Sequence, residues 1–397
     1  MYNLALLLLH TGEIFYGKSF GATGLTIGEI VFNTSMTGYQ EIISDPSYYK
    51  QIIMLTYPHI GNVGTNDEDQ ESYKTYASGL VIKNLSILDS NYRSTMNLHF
   101  YLKKNNIISI TDIDTRMLTN ILRKKGSQKC CIISGKKLNI NLAKYKIFFF
   151  LGLKNIDLVK KVTNKKIYKW NLGTKNYLKN KHNLYKNIFF KLKIIVYNYG
   201  IKHSIMRMLI DRDCILKIKP AFFKINKIIK KKIDGILLSN GPGDPNPCNY
   251  IVKNIKLILK KNIPTFGICL GHQLLAMSCG AKIIKMKFGH HGANHPVQNL
   301  ITKKIMITSQ NHNFIIDSKK ISKNYKISHI SLFDKTIQGI YHKKKMAFSF
   351  QGHPEANPGT NDISFLFNDF INIILNNLYY KIKKFILKGV KCQKEQI

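Results

Sequence analysis

A cysteine with a glycine two residues away on each side is the part of this 397-residue sequence best suited to covalent chemistry. The apolar run at 263–268 predicts a buried strand, and residues 274–277 fit the apolar side of a following helix. Gly267-Ile268-Cys269-Leu270-Gly271 is therefore typical of a strand-to-helix nucleophile elbow with cysteine in the serine position. Such a turn places the thiol beside a helix N-terminus, which favours the thiolate. A cysteine without these glycines would more often be a small buried packing residue.

A cysteine nucleophile needs a base, and the base needs a group that orients it. His353-Pro354-Glu355 fits both roles, because residues two apart in an extended segment point the same way and a proline keeps the preceding residue extended. A carboxylate beside an imidazole fixes its tautomer and stabilises the imidazolium. Two other histidines compete for the role of base. His272 is predicted to point along the helix after the cysteine, and His312 is a second candidate.

Acyl transfer also needs hydrogen-bond donors aimed at the developing oxyanion. The backbone N–H of Leu270, directly after the cysteine, is one candidate. The loop Gly241-Pro242-Gly243 offers another, because glycine lets the backbone approach a ligand closely. Both features follow predicted strands, so we expect them to meet where the carboxyl ends of parallel strands lie together.

Three histidines, His290, His291 and His295, lie close enough in the sequence to suggest a metal site. The glycines and the proline among them instead predict a turn. No acidic residue or cysteine lies nearby in the sequence to complete a ligand set. We therefore expect no metal site in this chain.

The composition is strongly basic, with 61 lysine and arginine residues against 22 acidic ones and a formal net charge of +39. A nucleic-acid or anionic-membrane partner is one interpretation. However, lysine, asparagine, isoleucine, tyrosine and phenylalanine are abundant together, as an A+T-rich genome would produce at permissive positions. No nucleic-acid-binding module and no apolar run of ~18 residues is evident, so we expect neither nucleic-acid nor membrane binding. Seven scattered cysteines favour a reducing compartment, the cytoplasm.

The hydrophobic pattern predicts an α/β protein. Residues 1–150 are predicted to form a β-rich α/β N-terminal domain, and residues 151–190 a Lys/Asn-rich linker with one short element. Residues 191–380 are predicted to form a doubly wound mixed-sheet domain, and residues 381–397 a basic tail. In the first domain we predict a helix over 111–125, capped by Asp112 or Asp114 and ended by Gly126. In the second, one helix is predicted over 254–261.

Gly267-Ile268-Cys269-Leu270-Gly271-His272-Gln273, together with His353-Pro354-Glu355, resembles the class I, triad-type glutamine amidotransferases. Further runs narrow the resemblance to the small (glutaminase) chain of carbamoyl-phosphate synthase. These runs are 28–34, 38–41, 56–62, 65–67, 112–116 and 287–292. The resemblance covers nearly the whole chain and weakens only at 135–190 and after about residue 375.

The resemblance implies a mechanism. Cys269 attacks the side-chain amide of L-glutamine, His353 passes the proton to the leaving ammonia, and Glu355 orients His353. Water then hydrolyses the glutamyl thioester, again with His353 as the base. The residues implied to hold glutamine are Ser47, Gly241, Gly243, Leu270, Gln273, Asn311, Asn313 and Phe314. Ser47 would reach in from the first domain, which places the pocket at a domain interface.

The resemblance also implies a partner. Ammonia would pass through an internal tunnel to a large synthetase chain, which makes carbamoyl phosphate for arginine and pyrimidine synthesis. That partner would bind ATP, Mg²⁺ and bicarbonate, and no cofactor is expected in this chain.

Three alternatives remain open. The glutaminase component of another synthase, such as one making anthranilate, would share the second domain but not residues 28–70. A non-catalytic scaffold for the large chain is disfavoured by the intact Cys269, His353 and Glu355. It stays open because the family has glycine where this chain has Asn313, a substitution that is least costly if the position needs a positive φ but that would narrow the pocket. A nucleic-acid-binding protein would show a steeply salt-dependent affinity.

Overall fold

The computed structural model describes residues 3–176, 181–182, 191–227 and 233–394. Within these residues the strands form a closed seven-stranded barrel, a ten-stranded mixed sheet and two small pairs. This architecture confirms the predicted fold class, a β-rich α/β N-terminal half followed by a doubly wound mixed sheet. No helix in the described ranges combines the length and the apolar character needed to cross a membrane.

The barrel is built from strands of the N-terminal half. Its strands and the small pair beside it are β1 (Leu4–Leu9), β2 (Ile14–Gly21), β3 (Gly24–Asn33), β4 (Gln51–Leu55), β5 (His59–Ile60), β6 (Gly79–Val81), β7 (Asn84–Leu85), β8 (Ile108–Thr111) and β9 (Gln128–Ser134). The barrel order is β1-β2-β8-β6-β4-β3-β9, and β5 pairs with β7. From Ala5 onward β1 is apolar and buried on both faces: Ala5 and Leu7 face the barrel interior, while Leu6 and Leu8 pack in an outer cluster.

The helices of this half are α1 (Tyr39–Ser44), α2 (Leu98–Lys104), α3 (Thr115–Lys125) and α4 (Ile140–Phe149). The helix predicted over 111–125 begins later, at Thr115, because Thr111 still belongs to a barrel strand. Asp114 is the cap, since its side chain accepts a hydrogen bond from the N–H of Met117, and Gly126 ends the helix as predicted. The apolar pattern missed α2, which is only seven residues long.

The segment predicted as a linker contains more regular structure than one short element. It holds α5 (Val159–Val162), β10 (Tyr168–Trp170), β11 (Lys175–Asn176) and β12 (Lys181–His182). β10 pairs with the edge of the large sheet, and Trp170 packs in the core beneath it. Elements of two to four residues are too short to show a hydrophobic period, so the sequence pattern could not reveal them. Residues 177–180 and 183–190 of this segment lie outside the described residues.

The remaining strands complete the large sheet. They are β13 (Leu192–Asn198), β14 (Cys214–Pro220), β15 (Gly235–Leu238), β16 (Thr265–Ile268), β17 (Ile283–Asn299), β18 (Ile305–Ile316), β19 (Tyr325–Ser331), β20 (Ile337–His342) and β21 (Ala347–Phe350). The sheet order is β10-β14-β13-β15-β16-β21-β20-β19-β17-β18. The run from β14 to β21 is parallel, and the flanking pairs are antiparallel. Buried clusters cover both faces of the parallel run, as predicted for a doubly wound sheet.

The helices around this sheet are α6 (His203–Ile210), α7 (Asn249–Lys260), α8 (Leu270–Ser278) and α9 (Phe365–Lys394). α7 begins five residues before the predicted start at 254, because Ile251 already belongs to its buried face. α9 continues into the segment predicted as a basic tail, of which residues 395–397 lie outside the described ranges. The carboxyl ends of β13, β15, β16 and β21 therefore share one edge of the sheet, and the candidate site lies there.

Candidate active site

Cys269 occupies the sharp turn between β16 and α8, as the sequence predicts. Its backbone has φ 52° and ψ −104°, a positive-φ conformation that a non-glycine residue adopts only when its surroundings impose it. A side chain at Gly271 would place Cβ 2.2 Å from the carbonyl oxygen of Leu238, and one at Gly267 would place it 2.7 Å from that of Gly271. Both flanking glycines are therefore required by the close approach of strand and helix.

His353 and Glu355 follow β21 and lie beside the elbow. His353 Nδ1 is 2.7 Å from Glu355 Oε1, and both side chains are buried. Burial disfavours the imidazolium, but the charge of Glu355 and the neighbouring Cys269 outweigh it and raise the pKa of His353. Within the described residues no group other than the Cys269 thiol interacts with His353 Nε2, so this nitrogen is left to exchange a proton with the thiol.

A buried lysine that the sequence analysis did not single out completes this group. Lys202 Nζ lies 2.9 Å from Glu355 Oε1 and donates to the carbonyl oxygens of Ala356 at 2.9 Å and Asn357 at 2.7 Å. Burial opposes ionisation of Glu355, but Lys202 and His353 outweigh it and lower the pKa of that carboxyl. Glu355 is thus held as a carboxylate with a fixed orientation toward His353.

The two competing histidines have other partners. His272 Nδ1 lies 2.9 Å from Ser349 Oγ, and burial lowers the pKa of this imidazole to about 3. His312 Nδ1 lies 3.0 Å from the carbonyl oxygen of Phe314, and burial lowers its pKa well below the usual value. Cys269 is among the main groups that shift the pKa of His353 but not among those that shift the pKa of either of these rings, which favours His353 as the base.

The segment with three histidines is a strand, not the predicted turn. His290, His291 and His295 all lie in β17, whose glycines and proline fall at or near two register shifts in its pairing with β18. His290 Nε2 lies 2.9 Å from Asp334 Oδ2, so an acidic partner does approach from a distant part of the chain. The described residues contain no group of three or more histidine, cysteine or acidic side chains arranged to hold a metal ion.

One cavity, here named the Cys269 cavity, brings together all the residues that the resemblance implied for glutamine binding. Besides Cys269, its lining includes Ser47, Gly241, Gly243, Leu270, Gln273, Asn311, Asn313 and Phe314. Gln273 Nε2 donates to the carbonyl oxygen of Phe314 at 2.7 Å and thereby ties α8 to β18. The lining also contains Gln51, Leu153 and His312, which the sequence analysis did not assign to it.

The barrel contributes one wall of this cavity through the turn that follows α1. Asp45 Oδ2 accepts a hydrogen bond from Asn311 Nδ2 at 3.0 Å, and Asp45 Oδ1 accepts one from the N–H of Ser47 at 2.8 Å. Asn240 Nδ2 donates to Ser47 Oγ at 2.9 Å. Ser47 therefore reaches the cavity from the first domain, where the resemblance placed it, and is fixed by polar groups of both halves.

Asn313 does not have the positive φ that would explain asparagine as a substitute for glycine. It lies in β18, and its Oδ1 is 3.0 Å from His291 Nε2. His291 Nδ1 is in turn 3.0 Å from Asn311 Oδ1. The extra side chain is thus held against the cavity wall by a histidine that also contacts a neighbouring cavity residue.

Lys202, Asp45 and Asn240 are three of the polar residues that sequence reasoning missed. Lysine is so abundant in this chain that one buried lysine carries no sequence signal. Lys202 could only have been suspected from its position directly between a strand and a helix. Asp45 precedes a proline in a loop, where a turn-forming role is the ordinary interpretation.

Two family models match the chain in agreement with this geometry. The model described as carbamoyl-phosphate synthase small chain, CPSase domain, matches residues 7–132. The model described as glutamine amidotransferase class-I matches residues 194–373. The first match covers most of the barrel, and the second covers the large sheet from β13 onward with Cys269, His353 and Glu355.

Curated relatives match nearly the whole chain. The carbamoyl phosphate synthase small chain of Buchnera aphidicola subsp. Acyrthosiphon pisum is 54% identical over 374 residues, which are 94% of this chain and 97% of the relative. The small chain of Escherichia coli K12 is 51% identical over 374 residues, 94% of this chain and 98% of the relative. With a barrel matched by the small-chain model and a cysteine elbow matched by the amidotransferase model, the chain belongs to the carbamoyl phosphate synthase small chain family.

Proposed function

We propose that this chain hydrolyses L-glutamine to glutamate and ammonia at Cys269, as the glutaminase subunit of a carbamoyl-phosphate synthase. The observation that supports this most is the Cys269 cavity. It brings the thiol, on a turn with a positive φ, together with the polar side chains of Ser47, Gln273 and Asn311. The buried His353–Glu355 pair interacts with the same thiol. A thiol, an imidazole and an orienting carboxylate are the groups that acyl transfer from an amide requires.

In the first half-reaction, Cys269 Sγ attacks the carboxamide carbon of glutamine. Its proton passes to His353 Nε2, and the negative charge develops on the carboxamide oxygen. The N–H of Leu270, the first residue of α8, has no acceptor within the helix and is available to that oxygen together with the backbone at Gly241. His353 then gives its proton to the nitrogen, the C–N bond breaks, and ammonia leaves a glutamyl thioester.

In the second half-reaction, His353 takes a proton from water, and the hydroxide attacks the thioester carbon. Collapse of the intermediate breaks the C–S bond and returns the proton to Cys269. Glu355 stabilises the imidazolium in both halves, and Lys202 holds Glu355 in place. The net reaction converts glutamine and water into glutamate and ammonia.

The large synthetase chain is the proposed destination of the ammonia. Membership of the small chain family supports such a partner, which would use the ammonia to make carbamoyl phosphate for arginine and pyrimidine synthesis. ATP, Mg²⁺ and bicarbonate would bind on that partner. This chain would need no cofactor, because its thiol, imidazole and backbone donors supply the groups that hydrolysis requires. The described cysteines are free thiols, which supports a location in the reducing cytoplasm.

The deciding experiment is glutamate release from glutamine by the purified chain, alone and with the large chain, beside a Cys269→Ala control. We expect release that rises with the partner and falls by at least roughly 10³-fold in the control. A folded chain that binds the partner but releases no glutamate would instead support the second candidate, a non-catalytic scaffold. Asn313, whose side chain stands in the cavity wall, is the observation that favours that candidate.

A further inference from the structure

The first turn of α6 is capped by a carboxylate from the other domain. Lys202, at the N-cap position, makes no side-chain capping bond in the described part of the chain. Glu71, from the loop between β5 and β6, supplies the acceptors instead. Its Oε2 accepts from the N–H of Ser204 at 3.0 Å, its Oε1 accepts from the Ser204 hydroxyl, and its carbonyl oxygen accepts from the N–H of His203 at 2.9 Å. A helix N-terminus favours such a negative cap.

Glu71 is rigidly fixed on the barrel side. Its side chain is fully buried, and its N–H donates to Ser44 Oγ at 2.9 Å. Ser44 is the last residue of α1, and its hydroxyl donates to the carbonyl oxygen of Gln40 at 2.8 Å. The position of Glu71 therefore follows the position of α1, the helix that leads directly into Ser47 of the cavity wall.

The same carboxylate also reaches the turn that follows the candidate catalytic residues. Asn357 Nδ2 donates to Ser204 Oγ at 2.5 Å and to Glu71 Oε1 at 3.3 Å. Ala356 and Asn357 both have left-handed backbones, with φ 58° and 48°, so this turn keeps its shape only where contacts enforce it. Lys202 is the second such contact, through the carbonyl oxygens of both residues.

A continuous chain of contacts results, here named the Glu71 circuit, which runs from Glu71 through Ser204, Asn357 and Lys202 to Glu355. The circuit is electrostatic as well as geometric. Burial disfavours the ammonium form of Lys202, but the charges of Glu355, Glu71 and Asp45 outweigh it and raise the pKa of Lys202. Glu71 thus supplies part of the negative charge that keeps this lysine charged beside Glu355.

We propose that Glu71 is a positioning residue for glutamine hydrolysis, which transmits the placement of the barrel through α6 and Lys202 to the orientation of Glu355. It touches neither the substrate nor the reacting atoms. The inference rests on the proposed glutaminase function and adds to it a residue outside the elbow and the cavity. Through this chain of contacts, any partner that shifts the barrel against the large sheet would also change the orientation of Glu355.

The test variant is Glu71→Gln, which keeps the side-chain shape but removes the charge and one acceptor. Because hydrogen bonds to a charged group are the stronger ones, we expect kcat for glutamate release by the full chain to fall roughly 10- to 100-fold. KM for glutamine should change by less than about threefold, since Glu71 lies outside the Cys269 cavity. Melting temperatures show whether each variant is folded.

The matched control is Glu29→Gln. Glu29 is also a buried barrel carboxylate that pairs with a cation of the large sheet, Lys285, at 2.8 Å, but it joins β3 to β17 and is no member of the Glu71 circuit. Its kcat should stay at the wild-type value. In a double-mutant cycle of Glu71→Gln with Lys202→Met, the effects on kcat should be strongly non-additive, because both changes interrupt the Glu71 circuit. A wild-type kcat in Glu71→Gln, or additive effects in the cycle, would overturn the proposal.

A second readout separates this inference from the proposed function. If the wild-type chain releases no glutamate, the glutaminase proposal fails, and alkylation of Cys269 by iodoacetamide then tests the circuit without turnover. The Glu71 circuit fixes the charge beside His353, so Glu71→Gln should change the alkylation rate and its pH profile, whereas Glu29→Gln should not. Identical profiles for Glu71→Gln and wild type would overturn the inference.

Discussion

Cys269, His353, Glu355 and Lys202, here named the hydrolytic group, are positioned differently from the cavity wall that faces them. All four residues follow strands of the large sheet. A buried hydrogen bond joins His353 to Glu355, and a buried ion pair joins Glu355 to Lys202. The facing wall of the Cys269 cavity is contributed by the barrel domain through Ser47. The proposed chemistry is thus organised within one domain, whereas the proposed recognition of glutamine uses side chains of both.

The largest effect that this comparison predicts comes from the sheet side. Glu355→Gln should lower kcat for glutamate release by roughly 10²- to 10⁴-fold, because His353 loses the group that fixes its tautomer. The pKa of His353 is raised above its ordinary value by that carboxylate, against burial, which lowers it. Once the carboxylate is removed, burial prevails and the pKa falls. The acid limb of kcat/KM should therefore move to lower pH.

The control for this prediction addresses folding. Glu355→Gln leaves the buried Lys202 without its closest counter-charge, which can destabilise the domain by about 3–5 kcal/mol. A double variant with Lys202→Met removes both charges, and its melting temperature should recover while its kcat stays low. An acid limb that moves to higher pH in Glu355→Gln would contradict the role given to this carboxylate.

An intermediate effect is expected on the barrel side. Ser47→Ala removes a hydroxyl that lines the cavity and accepts from Asn240. Loss of one such hydrogen bond should raise KM for glutamine roughly 10-fold, with kcat changed by less than about threefold. The matched control is Ser109→Ala, a buried barrel serine whose hydroxyl has no partner among the described residues. A fall in kcat larger than the rise in KM would mean that the barrel takes part in the chemistry and not only in recognition.

The smallest effect is expected where the two sides meet. Asn313→Gly should lower KM for glutamine by about two- to threefold, because it opens the cavity wall. It should also cost about 0.5–1 kcal/mol of stability, because glycine weakens a strand. Steady-state kinetics and thermal unfolding measure the two effects together. A rise in KM would show that the Asn313–His291 contact organises the cavity and does not merely narrow it.

The strand-to-helix turn at Cys269 and the contact between His353 and Glu355 could be predicted from the sequence because their determinants are local. The glycines beside Cys269 and the two-residue spacing of His353 and Glu355 each lie within a few residues. Lys202 and Glu71 could not be predicted, since their roles arise from contacts between residues that are distant in the sequence and from burial. The same reason explains why His290 was placed in a turn: its neighbouring glycine serves a β-bulge that only the pairing with β18 reveals.

The closure of the barrel restricts how this half of the molecule can meet another chain. β1 pairs with β2 on one side and with β9 on the other, so the backbone donors and acceptors along the ring are already matched. A partner cannot extend the ring by donating a strand of its own, and recognition must use side chains and connecting loops. Closure also makes the ring intolerant of shortening. Deletion of β9 alone would expose the backbone edges of both β1 and β3. The closed barrel would become an open sheet with two edge strands that can pair with other chains and aggregate.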